Sequence, residues 1–113
     1  MVRKTIERRK MNARGGSGEV IFHDVVTTEE LRGHGRLYSR ITLRQGCSIG
    51  WHQHVTDTEP YYILKGRGIF TDNDGSRIEV GPGDVGYLEL GESHSIETPF
   101  EEDLEFMALI YNA

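Results

Sequence analysis

A chain of 113 residues with 36% hydrophobic side chains has the size of one domain around a single core. It contains no apolar run of 18 residues, no apolar leader-type segment, and one cysteine, which excludes a membrane-spanning helix and an internal disulfide framework. The net charge of −5 is unevenly placed: Arg3, Lys4, Arg8, Arg9, Lys10 and Arg14 face Glu7 alone in residues 1–14, a net of +5, while the other 99 residues carry −10. Such an acidic body repels phosphates, so nucleic acid is not an expected partner, and a reducing cytoplasm is the expected compartment.

The first 14 residues have no decisive periodicity and read as a short helix or a loose arm. Residues 12–18 (Asn-Ala-Arg-Gly-Gly-Ser-Gly) form a turn-rich hinge; without a preceding strand or a Lys-Ser/Thr pair they make no phosphate loop. Residues 1–18 are therefore set apart as a basic arm and hinge, solvated or lying on the acidic surface of its own or a partner subunit, and 19–113 as the folded domain. Residues 19–22 predict a strand, with His23 a turn or edge residue. Thr27-Thr28-Glu29-Glu30 opens a brief helical turn before Leu31, and His34 lies in a glycine-flanked loop. From Gly35 the period becomes two: Leu37, Ser39, Ile41 and Leu43 alternate with Arg36, Tyr38, Arg40, Thr42 and Arg44. That alternation predicts an antiparallel strand with its arginines on a solvated face; Arg40 reaches a bound carboxylate only if the register is reversed. Cys47, beside Gly46 at a strand start, reads as a buried inert thiol.

Gly46, His52, His54, Glu59 and Gly66 come next. Strand side chains repeat every second residue at about 3.3 Å per residue, so the imidazoles of His52 and His54 leave one face close enough to converge on one ion. Residues 55–58 are a plausible turn that returns Glu59 from the neighbouring strand. Residues 60–65 then read as a strand. Asn73-Asp74-Gly75 between 69–71 and 77–80 is a hairpin signal, because positive φ is cheap for Asn, Asp and Gly. Residues 81–84 turn again, and a short strand leads through Gly91 to His94, which enters another. An acidic loop over 99–103 precedes a nearly all-apolar closing strand, 104–111, expected to be covered on both faces. Eight or so strands, hairpin turns and no long helix predict an all-β, single-domain barrel, closed or sandwich-like.

The two blocks together resemble the two sequence motifs of the cupin superfamily. Gly46, His52, His54, Glu59 and Gly66 follow the first motif at every fixed position; Gly83, Gly91 and His94 follow the second, with Glu89 where proline is usual and Thr98 where asparagine is usual. The missing proline alters a turn and removes no ligand. The resemblance implies a double-stranded β-helix of jelly-roll class, and a homodimer in which the basic arms are exchanged as N-terminal strands.

Three imidazoles and one carboxylate (His52, His54, His94 and Glu59) suit Mn, Fe, Ni or Co, and Zn if Glu59 stays back, with open positions for water, dioxygen or substrate. By parity Tyr61 and Ile63 share the face of Glu59, Ser48 and Gly50 that of His52, and Ile96 that of His94, while Trp51 points away and Tyr87 is assigned to the mouth. Tyr61 is a candidate for ligand orientation or proton donation, although an aromatic filling the barrel explains it too. Glu92 is a candidate rim acid or base. Two functions follow. One is a metal-dependent enzyme that oxidises, decarboxylates, isomerises or cyclises a small polar organic acid, sugar or polyketide-like compound. The other is a non-catalytic module that binds or senses such a ligand. Oxalate is not an expected substrate, because the true decarboxylases of this superfamily are generally two-barrel chains with a mobile acidic lid that this chain is too short to provide.

Overall fold

The computed structural model describes all 113 residues. Ten strands run in chain order: β1 (Ile6–Met11), β2 (Glu19–Asp24), β3 (Gly35–Leu43), β4 (Ser48–Gln53), β5 (Asp57–Lys65), β6 (Gly68–Thr71), β7 (Arg77–Val80), β8 (Val85–Leu88), β9 (Ser93–Glu97) and β10 (Leu104–Asn112). They form two antiparallel sheets, β1-β2-β3-β10-β5-β8 and β4-β9-β6-β7. This is the expected double-stranded β-helix. No helix is long and apolar enough to cross a membrane.

The core lies between the sheets. Ile41 and Leu43 of β3, Tyr61 and Ile63 of β5 and Phe106 of β10 meet Ile49 of β4, Phe70 of β6 and Ile96 of β9, all buried. Period-two alternation in β3 survives intact, with Leu37, Ser39, Ile41 and Leu43 inward and Arg40 outward on Glu105 at 2.8 Å. Two short 3-10 turns, Ala13–Gly15 and Glu29–Leu31, complete the chain. The second opens where expected, and Thr27 and Glu30 cap each other reciprocally: the Thr27 N–H donates to Glu30 Oε1 at 2.9 Å, and the Glu30 N–H to Thr27 Oγ1 at 3.2 Å.

Five expectations are corrected. Residues 6–11 are neither helix nor loose arm but the edge strand β1, in register with β2 from Ile6↔Asp24 to Met11↔Glu19. Ion pairs compensate for its missing apolar face: Arg8 reaches Asp24 at 2.7 Å and stacks on Phe22 at 4.0 Å, and Arg9 reaches Glu19 at 2.8 Å. The closing strand is not covered on both faces. Leu104, Phe106, Ala108 and Ile110 are buried, but Met107 and Leu109 are half-exposed on the outer face, over which no layer packs. Cys47 is half-buried, not buried. Residues 57–58, expected in a turn, already belong to β5.

A bulge in β4 makes the fifth and most consequential correction. Ile49 pairs with Ile96 and His52 with His94, so three steps along β4 match two along β9. The extra residue resets the alternation. Ile49 therefore faces inward with His52, while the Ser48 hydroxyl turns away to accept the Ser17 N–H at 2.8 Å. Gly50 sits in the bulge against the first 3-10 turn, where an added Cβ would lie 2.2 Å from the Arg14 carbonyl oxygen. Only glycine permits that approach. Gly50→Ala is expected to cost about 1–3 kcal/mol by forcing the turn off β4, read as a lower denaturation midpoint with an unchanged slope; a midpoint equal to wild type would contradict the contact.

Candidate metal centre

The bulge and the two-sheet stacking gather four polar side chains into one buried point. His52 and His94 lie directly opposite each other on β4 and β9, His54 follows β4 by one residue, and Glu59 enters from β5 in the other sheet. His52 Nε2 is 3.1 Å from both His54 Nε2 and His94 Nε2. Glu59 Oε1 is 3.2 Å from His54 Nε2 and 3.1 Å from His94 Nε2. Each residue offers one ligand atom, and the four atoms lie within 4.8 Å of one another. His54, Glu59 and His94 are at most 2% exposed, and His52 is half-buried.

The far side of two rings fixes which nitrogen faces inward. His52 Nδ1–H donates to the Gly50 carbonyl at 2.7 Å, and His54 Nδ1–H donates to Asp57 Oδ1 at 2.6 Å. Their Nε2 lone pairs therefore point at the shared centre. Glu59 Oε1 has no hydrogen bond although it is buried. Lone pairs and a carboxylate oxygen packed this closely repel one another unless a positive charge sits between them. Donors about 2.1 Å from an ion and at right angles around it would stand about 3.0 Å apart, which the observed 3.1–3.2 Å contacts match. The residues present fit a divalent cation.

Burial, together with the neighbouring imidazoles of His94 and His54, outweighs the Gly50 carbonyl and pushes His52 down to about 4, so its ring is neutral at physiological pH. At His54 burial works in the same direction, but Glu59 and Asp57 outweigh it and raise the ring above its usual 6.5. Burial works to raise the Glu59 carboxyl, yet His54 and His94 overcome it and hold it below the ordinary range. Burial, reinforced by the Glu59 charge, pushes the Tyr61 phenol well above 10, so it stays a neutral donor.

A cavity of about 430 Å³ opens over this point. Tyr61 lines it, stacked on the His94 ring with centroids 5.0 Å apart. Ile63 and Ile96 are buried and Trp51 points outward, half exposed, as parity predicted. Tyr87 does not line the mouth; it is exposed on the outer side of β8. Glu92 lies in the turn before β9, where its carboxylate accepts the Glu89 N–H at 2.9 Å and its carbonyl accepts the His54 N–H at 2.9 Å. It holds the His54 backbone and does not line the cavity.

Sequence reading missed three contributors. Asp57, expected in a turn, orients His54 and is itself held by Arg36 Nε at 2.7 Å. Its spacing of three from His54 was the available signal. Arg36 and Arg14 reach the cavity through tertiary structure, with no local signature.

The Cupin domain family model matches residues 39–110. An "Oxalate-binding protein" of Thermotoga maritima is 44% identical over 102 residues, covering 90% of this chain and 84% of that one. The crystal structure of a predicted oxalate decarboxylase from Thermotoga maritima superposes with a TM-score of 0.92 at 41% identity, covering 100% of this chain and 99% of that one. A cupin-like protein from the same organism, at 17% identity and a TM-score of 0.77 over 99% of this chain and 80% of its own, shares the fold.

Proposed function

The chain belongs to the cupin family, and on that premise we propose that it holds one divalent transition ion on His52, His54, Glu59 and His94 and takes a small polar organic acid onto it. The observation that carries this reading is the buried convergence of three imidazole nitrogens and one unpartnered carboxylate oxygen at 3.1–3.2 Å. Mn, Fe, Ni, Co and Zn all tolerate such a mixed donor set. When bound, an ion of this kind acts as a Lewis acid towards a ligand oxygen. Around it, Asp57 keeps His54 in its productive tautomer, Glu92 fixes the same residue through its backbone, and Tyr61 offers a neutral hydroxyl to the cavity.

The names of the Thermotoga maritima oxalate-binding protein and of the predicted oxalate decarboxylase crystal structure from that organism both carry oxalate, which supports a short dicarboxylate as the ligand class. Capture is favoured over decarboxylation by one feature of the cavity: its only lining carboxylate is Glu59, already committed to the donor set. No second acid is free to move protons there. Turnover is the second reading, favoured by a donor set of four that leaves positions open on a six-coordinate ion.

Protein purified under nitrogen, with its metals measured and Fe(II) or Mn(II) then supplied, separates the two when oxygen uptake and carbon dioxide are followed over a panel of acids and diols. Binding heat without turnover supports capture, and turnover lost in His52→Ala supports an enzyme. A protein that takes up no metal contradicts both. Protons compete with the ion for the same lone pairs, so uptake is expected to be strongest above the raised His54 value and to weaken as pH falls through it, that is, from above 6.5 downward. Chelator competition from pH 8 to pH 4 checks this, and constant affinity across that range would refute it.

Association into a homodimer, with or without exchange of β1, belongs to the same proposal. Its support is the apolar outer face of the six-stranded sheet, where Tyr38, Tyr62, Val85 and Tyr87 are exposed. Cytoplasmic placement is likewise proposed, from the single half-buried cysteine.

A further inference from the structure

We infer that the N-terminal segment supplies the anion-recognition element of this cavity: Arg14 and Lys10, together with Arg36, form a cationic clamp over the metal centre that selects a dicarboxylate over a neutral ligand of the same shape. The inference deepens the proposed function and rests on it for the ion beneath the clamp.

Four cations line the cavity, Arg8, Lys10, Arg14 and Arg36, against the single carboxylate of Glu59. In a chain of net charge −5 this concentration is not a consequence of composition. Two of the four are engaged elsewhere. Arg8 is committed to Asp24 through Nε and Nη2 and lies over the Phe22 ring. Arg36 gives its Nε to Asp57 at 2.7 Å, and its two terminal nitrogens make no other hydrogen bond. Arg14 and Lys10 form neither an ion pair nor a side-chain hydrogen bond, although the body of the chain carries seventeen acidic residues. Lys10 and Arg14 are exposed at the cavity. Unneutralised cations gathered around a concave site focus their field into it and attract anions more strongly than the same charges scattered over open surface.

Arg14 also occupies an unfavourable conformation. Its φ of 54° and ψ of 32° lie in the left-handed region, where a non-glycine residue persists only if its surroundings dictate it. Here they do. The Gly16 N–H donates to the Ala13 carbonyl at 2.9 Å, Asn12 Nδ2 donates to the Gly16 carbonyl at 3.1 Å, Ala13 is buried, and the turn is seated on Gly50. Glycine would fit this backbone better. An arginine there adds a cationic side chain to the lining of the cavity that Tyr61 shares. A ligand with one carboxylate toward His52, His54, Glu59 and His94 presents its other end to Arg14, whose planar fork matches it. Lys10 adds a point charge from β1, and the free end of Arg36 closes the third side.

The test is calorimetric titration of full-length, Mn(II)-loaded protein with oxalate and with oxamide, its neutral counterpart, with manganese content measured on every sample. The variants are Arg14→Gly, Lys10→Gln and the pair combined. Wild type is expected to bind oxalate and not oxamide. Arg14→Gly is expected to weaken oxalate about 10- to 100-fold while manganese content stays at the wild-type level and the melting temperature is unchanged or higher. Lys10→Gln is expected to lose several-fold, with further weakening in the pair. Wild-type oxalate affinity in both single variants, or equal affinity for oxamide, overturns the clamp and leaves the metal reading standing. Should wild type hold no manganese, the metal reading fails, and oxalate binding to the metal-free protein decides the clamp alone: loss in Arg14→Gly supports it, and no binding by wild type overturns it.

Discussion

His52→Ala is expected to fold and yet bind a divalent transition ion at least about 100-fold more weakly than wild type. A structural zinc site of four ligands is worth roughly 10–16 kcal/mol, so one donor represents about 3 kcal/mol, which corresponds to a factor of about 100. His52 is the most informative of the four because it is half-buried and its removal opens the least space. His94 is fully buried and stacked against Tyr61, so His94→Ala loses packing as well as a donor. Ion present at one hundred times its dissociation constant stabilises the native state by about 2.7 kcal/mol. In a domain of this size that is a rise of about 10 °C or more in melting temperature. The rise should vanish in His52→Ala and on adding chelator to wild type. Thermal melts with and without metal, alongside elemental analysis, read both quantities. An undiminished metal content in the variant would remove the four-donor centre from consideration.

The parts of this centre that could be read from the chain are those carried by short-range spacing. His52 and His54, two apart, and Glu59, five further on, converge because strand parity and one turn suffice to bring them together; His94 joins through its register opposite His52. The same parity holds for Tyr61 and Ile63 on β5, which has no irregularity in that stretch. It fails for Ser48 and Gly50, because the bulge in β4 inserts a residue between Ile49 and His52. A glycine within a strand is the usual mark of such a bulge, and Gly50 was that mark. The strand β1 was opaque for a different reason. Charged residues occupy both of its faces, so no alternation betrays it, and its order depends on acids of β2 that lie ten to sixteen residues away. Arg14 and Arg36 were opaque for a third: each reaches the cavity only after the sheets have stacked, and nothing in their immediate sequence records it.

Tyr61 carries the second large effect, and its two readings separate cleanly. The ring is 1% exposed, stacked on His94 at 5.0 Å with the planes inclined by 21°, 4.6 Å from Phe106 and edge-on to Phe70 at 6.2 Å. Removing so well-packed an aromatic costs about 3–5 kcal/mol, a large fraction of the roughly 5–15 kcal/mol that holds a small domain together. Tyr61→Ala should therefore melt about 15 °C lower or more, and it should weaken metal uptake because the His94 ring loses the surface that positions it. Tyr61→Phe keeps every ring contact and removes only the hydroxyl, a change expected within about 1.5 kcal/mol. If the residue serves packing alone, the phenylalanine variant matches wild type in melting temperature, metal content and ligand affinity. If the hydroxyl also orients the acid or donates its proton, stability and metal content hold while ligand affinity or turnover falls. Burial and the Glu59 charge keep that hydroxyl protonated far above neutral pH, so any such fall should be the same at pH 7 and pH 9. A loss confined to one side of that interval would point to a titrating group elsewhere and away from Tyr61.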